Sequence, residues 1–454
     1  MITPLPRLDQ ARLRSILRDR DPTRPLVLTN ACLPNSVIGE ALSGDRSSLV
    51  SKVIIEVVQG QFHRIEKDNT PTTSEDEAKD FVDLEGRMIL PRLVDCHTHL
   101  DKGHILPRTP MANGTFGTAL STVKADREAS WNADDVRQRM EFGLKSAFHH
   151  GTGAIRTHLD SHPGQLEISW PVLEALRNEW AGRIDLQAAA LIPIEMVGNT
   201  EHFDRLCSVV AKADGALGAV AYPCDSLVSH VEQLFVAAKD RGLRLDFHAD
   251  ETLDPGARAL EVIADATLRH GYGDRVLVGH CCSLAQLSPP DAARIIGKCA
   301  EGGLSVVSLP MCNLYLQDRQ DPARTPRLRG VTALKELAHA GVNTAVASDN
   351  TRDPFFAYGD LDMLETFREA TRILQLDHPH GDWISAATHR AARAMGLAGH
   401  GRLDVGGSAD CIIFEGRAWH EVLSRPESNR IVLKAGRPNE TTLPDYRELD
   451  PLVK

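Results

Sequence analysis

The chain has 454 residues, 42% of them hydrophobic and 25% charged. These are ordinary globular proportions, which exclude a disordered, collagen-like or disulfide-stapled polypeptide. Lys+Arg 51 against Asp+Glu 62 gives a net charge of −11, removing any general attraction to nucleic acid or an anionic membrane and leaving neutral or small partners.

Met1–Arg7 leads into a polar amphipathic stretch with no apolar signal-peptide core, and no later window approaches the ~18 apolar residues of a membrane span. The expectation is a soluble, cytoplasmic protein whose oligomeric state stays open, a homo-oligomer included. The nine cysteines are odd in number and show no Cys-x-x-Cys spacing, which argues against a secreted disulfide framework and a structural zinc knuckle.

In chain order, a short amphipathic helix is predicted over Leu8–Arg18, then strands at Leu26–Thr29 and Val53–Val58, and a charged, Thr-rich loop over Asp68–Lys79. From Leu90 the rhythm becomes short apolar strands separated by helical patterns, as in βα units. Eight strands are predicted: Leu93–His99, Ala154–Leu159, Asp185–Leu191, Gly218–Tyr222, Leu243–His248, Val276–His280, Ser305–Leu309 and Thr344–Asp349. Eight such units close a (β/α)8 TIM-type barrel. Helices are predicted at Pro171–Glu179, Val228–Arg241 and Val331–Ala340, the last two stopped by Gly242 and Gly341. Strands return at Asp410–Phe414 and Arg430–Lys434. The expected organisation is an α/β protein with a barrel over residues 91–400 and a small β-sandwich domain formed by residues 1–90 and 401–454.

Barrel active sites lie at the carboxyl ends of the strands, so the polar residues that close each strand matter most. The first ends in His97-Thr98-His99, the fifth in His248, the sixth in His280 and the eighth in Asp349. Side chains alternate along a strand, so His97 and His99 share a face and can share one metal ion. With 19 histidines such a pair also arises by chance; a second, His378-Pro379-His380, sits in a Pro-interrupted loop and reads as surface. The rest of the constellation favours the first pair. His248-Ala249-Asp250-Glu251 adds an imidazole and, three residues on, a carboxylate able to reach a water on the metal. Asp349 adds an anionic oxygen. Three neutral nitrogens and one carboxylate suit Zn²⁺ or Fe²⁺ and leave room for water, whose pKa such an ion lowers to ~7.

Together with Val278-Gly279-His280, Pro310-Met311-Cys312-Asn313-Leu314-Tyr315-Leu316-Gln317, Ser348-Asp349-Asn350, Asp353-Pro354 and the closing phrase Gly401–Asp410, these motifs resemble the amidohydrolase superfamily, specifically its cytosine deaminase branch. The resemblance runs from about Leu90 to Gly436. It implies one divalent metal per subunit, zinc or iron, held by His97, His99, His248 and Asp349. It further implies that Glu251 moves a proton from water to a ring nitrogen, that His280 polarises the attacked centre, and that Asp349 passes a second proton to the departing amine. Binuclear superfamily members carry a carboxylated lysine at the end of strand four; Gly218–Tyr222 holds none, which favours a single metal.

Cytosine deaminases read their base through a Gln after strand three, an Asp following the metal Asp, and a Trp in the next loop. This chain has Pro193-Ile194-Glu195, Asn350 and Asp353-Pro354-Phe355 there, so Glu195, Asn350 and Phe355 become candidate substrate contacts and cytosine itself is disfavoured. Lys102 has two readings, a clamp on a substrate carboxylate or carbonyl, and an ion pair with Asp101 or another carboxylate. His158 and Asp160 read equally as pocket residues or as a structural pair, His149-His150 as helix-end structure, Cys281-Cys282 as buried small hydrophobes, and Arg352 as a shaper of the pocket mouth.

The function expected is metal-dependent hydrolytic deamination of an amino-substituted nitrogen heterocycle such as a pyrimidine, pterin or triazine. An alternative keeps the site but releases an alkylamine or opens a cyclic amide; a remote one is a non-catalytic barrel. The small cytidine-type zinc deaminases are disfavoured, because their His-x-Glu and Pro-Cys-x-x-Cys pair is absent and Pro223-Cys224 lacks a second cysteine at the required spacing.

Overall fold

A computed structural model describes residues 8–39, 50–68, 78–110, 113–319, 321, 323–377, 382–426 and 428–453. His378 and His380, and most of Asp68–Lys79, lie outside the described residues.

The amino-terminal helix Gln10–Asp19 starts where Asp9 accepts the Arg12 N–H, and it buries Leu13 and Leu17. It covers a pair of small sheets. One contains β1 (Leu26–Pro34), β2 (Val50–Val58), β3 (Gln61–Lys67) and β4 (Asp80–Asp83) in the order β3-β2-β1-β4. The other joins β5 (Ile89–Pro91) to strands from the far end of the chain. Their inner faces share one core, in which Leu28, Ile55 and Val57 meet Cys411, Ile413 and Leu433.

The barrel consists of β6 (Leu93–Thr98), β7 (Thr152–Asp160), β8 (Asp185–Leu191), β9 (Ala216–Ala221), β10 (Arg244–Ala249), β11 (Val276–His280), β12 (Ser305–Ser308) and β13 (Asn343–Val346). All eight strands are parallel and hydrogen-bonded in sequence order, and helices separate them, as in a (β/α)8 barrel. Bonds at the mouth close the ring: the Asp349 N–H donates to the His97 carbonyl at 2.9 Å, and Thr98 Oγ1 donates to the Asp349 carbonyl at 2.8 Å. Behind them the buried Asp95 carboxylate accepts the Ser348 N–H at 3.2 Å. Closure of the barrel therefore also sets Asp349 beside the two histidines of β6. The strands β14 (Cys411–Phe414), β15 (Arg430–Lys434) and β16 (Arg437–Pro438) complete the second small sheet, in the order β16-β15-β14-β5.

Two helices start three or more residues from the expected position. Leu166–Glu179 begins five residues before Pro171, which lies inside it, because the buried face Leu166, Ser169, Trp170, Leu173 and Leu176 already follows the helical period there. Leu334–His339 begins three residues after Val331, since the Thr332 hydroxyl turns inward to donate to the His280 carbonyl. Gly242 and Gly341 end their helices with φ of +68° and +89°, the left-handed turn that glycine makes without strain.

Candidate active site

His97 and His99 point from the end of β6 into the mouth, where His248 of β10 meets them. His99 Nε2 lies 3.2 Å from His248 Nε2 and 3.2 Å from Asp349 Oδ1, and His97 Nε2 lies 3.6 Å from that same oxygen. Tetrahedral zinc with arms of about 2.1 Å has edges of about 3.4 Å, so this spacing is that of a ligand set. His97 Nε2 and both Asp349 oxygens are buried without a hydrogen-bond partner, and Nε2 of His99 and His248 have no such partner but each other. Unsatisfied polar atoms that converge in this way are costly in an ordinary core, and a cation among them would remove the cost. Space for the His97 ring comes from Gly279, where an added Cβ would stand 2.8 Å from His97 Cε1. His280 and Asp349 hold left-handed backbone, φ +69° and +64°, local strain of the kind that accumulates at functional sites.

Burial, and then the charges of neighbouring imidazoles and of Lys102, hold His97, His99 and His248 well below the ordinary histidine range. They are neutral, so their closeness to Asp349 is not ion pairing; neutral imidazole is the metal-binding form. Burial pushes the Asp349 carboxyl above its usual range. Where it is protonated, a metal must displace that proton. Metal affinity should therefore rise with pH and level off once Asp349 is ionised. Competition against a chelator, corrected for the chelator's own protonation, measures this; a flat affinity from acid to neutral pH would contradict it.

Glu251 and His280 face the same cavity. Glu251 Oε1 is 3.3 Å from His280 Nδ1, and Asn313 Nδ2 completes a triangle with them, 2.9 Å from His280 Nδ1 and 3.1 Å from Glu251 Oε1. Gln317 Nε2 donates to the Glu251 carbonyl at 3.2 Å. Burial first, and then the Asp349 charge, raise the Glu251 carboxyl well above its usual range. Burial lowers His280 to about 3, so it is neutral.

The remaining candidates fall in different places. Lys102, Asn350 and Phe355 line the cavity, which has a volume of about 1060 Å³. Lys102 pairs with Asp160 at 3.3 Å, not with Asp101, and lies 5.3 Å from the centre of the Phe355 ring. Burial opposes its charge, but Asp160, Asp101 and Asp353 outweigh it and raise the ammonium. Asn350 donates to Asp353 at 2.6 Å. Glu195 is exposed and does not line the cavity; the turn Ile194–Gly198 buries Ile194 and sends Glu195 outward, where it accepts from the Tyr222 hydroxyl. Arg352 stacks over Tyr446 at 4.0 Å, away from the cavity lining. His149 and His150 bond Thr441 and Asp360 at a helix end. Burial raises the thiols of Cys281 and Cys282 well above the ordinary range, leaving them unreactive.

His158 partners Asp246, not Asp160. Its Nε2 donates to Asp246 Oδ1 at 3.0 Å, Arg156 Nη1 donates to the other oxygen at 3.0 Å, and its ring centre lies 4.0 Å from that of His97. Arg156 and Asp246 were missed in the sequence. So was Arg127, which donates to Asp160 at 2.7 Å and lines the cavity with Phe116. The apolar spacing Phe116, Ala119, Val123 was the available signal for that helix.

Residues 185–438 match the Amidohydrolase family. The chain is also 47% identical over 428 residues to a pterin deaminase of Rhizobium rhizogenes, covering 94% of this chain and 96% of that one. The chain belongs to the amidohydrolase family. This amidohydrolase is 25% identical over 378 residues to an N-isopropylammelide isopropyl amidohydrolase of a Pseudomonas species, covering 80% of this chain and 88% of that one. Among solved structures it resembles the 5-methylcytosine deaminase of Klebsiella pneumoniae liganded with phosphonocytosine, with a TM-score of 0.78, 25% identity, and coverage of 92% of this chain and 98% of that one. It is a hydrolase acting on carbon–nitrogen bonds other than peptide bonds, a hydrolytic deaminase of a small heterocycle. Alkylamine release and ring opening are the less favoured alternatives. Deaminases of this family use a divalent metal, and the histidine cluster stands where one would be held. Among the described residues no helix is long and apolar enough to cross a membrane.

Proposed function

We propose that this chain deaminates a pterin-type heterocycle, using one zinc or iron ion held by His97, His99, His248 and Asp349 in a barrel of residues 91–400. The observation that carries the reading is the 47% identity, over nearly the whole length of both chains, with a pterin deaminase. The cavity agrees with it. About 1060 Å³ lies at the upper end of small-molecule sites and takes a two-ring substrate, and Phe116 and Phe355 supply aromatic walls.

When bound, the divalent ion makes water a nucleophile near neutral pH. Glu251 takes a proton from the attacking water and delivers it to the ring nitrogen beside the amine-bearing carbon. His280 lines the cavity and stabilises charge at the attacked centre. The water oxygen bonds to that carbon, a second proton passes through Asp349 to the amine, the carbon–nitrogen bond breaks, and ammonia leaves a ring carbonyl behind. Asn350 and Phe355 border the ring.

Ammonia release by purified, metal-loaded protein from pterin, cytosine and an aminotriazine tests the reading. Pterin should be preferred; turnover of cytosine or triazine without pterin would overturn it. A carboxylated pterin tests Lys102 as the anion clamp. With that substrate Lys102→Met should raise KM about tenfold or more and leave kcat within a few-fold, the pattern of a lost binding contact. An unchanged KM would make Lys102 solely the partner of Asp160.

A further inference from the structure

The segment Pro310–Gln317 is a motif that the catalytic roles above leave unexplained. It forms the helix Pro310–Leu316, and its buried Asn313 reaches the two groups that handle protons. Only one atom does so: Nδ2 sits at hydrogen-bond distance from both Glu251 Oε1 and His280 Nδ1, while Oδ1 has no partner. An amide nitrogen only donates, and it carries two hydrogens, one for each acceptor. The opposite orientation would place the amide oxygen against the Glu251 carboxylate. An imidazole nitrogen that accepts a hydrogen bond carries no proton, so the proton of neutral His280 is on Nε2. That atom is buried without a protein partner, and the His280 ring lines the cavity.

Without the amide, the 3.3 Å between Glu251 Oε1 and His280 Nδ1 suits a direct bond from a protonated Nδ1 to the carboxylate. Such a bond would occupy the base and strip the donor from Nε2. We propose that Asn313 is a positioning residue that keeps Glu251 and His280 from pairing with each other, fixing His280 as the Nε2–H tautomer and leaving Glu251 free as the proton carrier. Gln317, one helical turn on, holds the Glu251 carbonyl and braces the same carboxylate-bearing residue from its backbone. The inference rests on the catalytic roles given above for Glu251 and His280.

The test uses the zinc-loaded enzyme labelled with 15N-histidine, with the His280 signals assigned by their loss in His280→Gln. In the native protein His280 Nδ1 should show the shift of an unprotonated nitrogen and Nε2 that of a protonated one. In Asn313→Leu the proton should move to Nδ1. With zinc content unchanged, kcat should fall about 100-fold or more while KM stays within about threefold, the size of a lost general acid–base contribution. Asn313→Asp is nearly isosteric and, when ionised, only accepts, so at a pH where it is ionised it should give the same tautomer exchange and loss of kcat. A native His280 protonated at Nδ1, or a kcat retained in both variants, would overturn the assignment. The tautomer of the native protein is read without substrate, so failure to deaminate any pterin would remove the functional reading while leaving this measurement decisive.

Discussion

Glu251→Gln should retain one metal ion per subunit and lose turnover by about 100-fold to 10,000-fold, the range that a positioned general acid–base group contributes. The amide fills the same volume and can still meet Asn313, so the site should assemble. It cannot accept the proton that hydrolysis releases. Because Glu251 is not among the ligands assigned here, metal content and activity should separate, and metal analysis beside steady-state ammonia release shows whether they do. Full activity in a metal-loaded Glu251→Gln protein would remove this carboxylate from the mechanism. Loss of metal together with activity would make it a ligand instead.

Removing a ligand acts one step earlier. His248→Ala takes away the nitrogen that stands 3.2 Å from His99 Nε2, leaving two imidazoles and one carboxylate. Bound metal should fall well below one per subunit and turnover should fall in proportion, because a three-ligand remnant holds zinc far less tightly. Added metal should restore activity only in part. Unchanged metal content would show that His248 is not a ligand, and that His158, whose ring nitrogen belongs to the same cluster, occupies its place.

His97, His99, His248, His280 and Asp349 could be marked from the chain because a barrel gathers the carboxyl ends of its strands at one mouth, and each of these residues lies at or just past such an end. Arg156 and Asp246 lie within β7 and β10, where a charged residue in a short apolar run carries no sign of its partner. Those strands are separated by β8 and β9, so their side chains meet only across the barrel interior. Lys102 was visible as a cation next to the metal-binding strand, but the choice of Asp160 over Asp101 depends on how β6 pairs with β7. Asn313 lies in a motif whose sequence carries no sign of its partners; the fold brings its side chain to Glu251 and His280. Glu195 shows the converse. Its place after the third strand predicted a substrate contact, yet one tight turn sends it to the rim.

Anomalous diffraction from crystals of the metal-loaded protein, recorded across the zinc and iron edges, bears most directly on the convergence of these side chains on one ion. The expected result is a single peak about 2.0–2.2 Å from Nε2 of His97, His99 and His248 and from an Asp349 oxygen, with the edge naming the metal. A peak elsewhere, two peaks in the mouth, or none in fully active protein would contradict it.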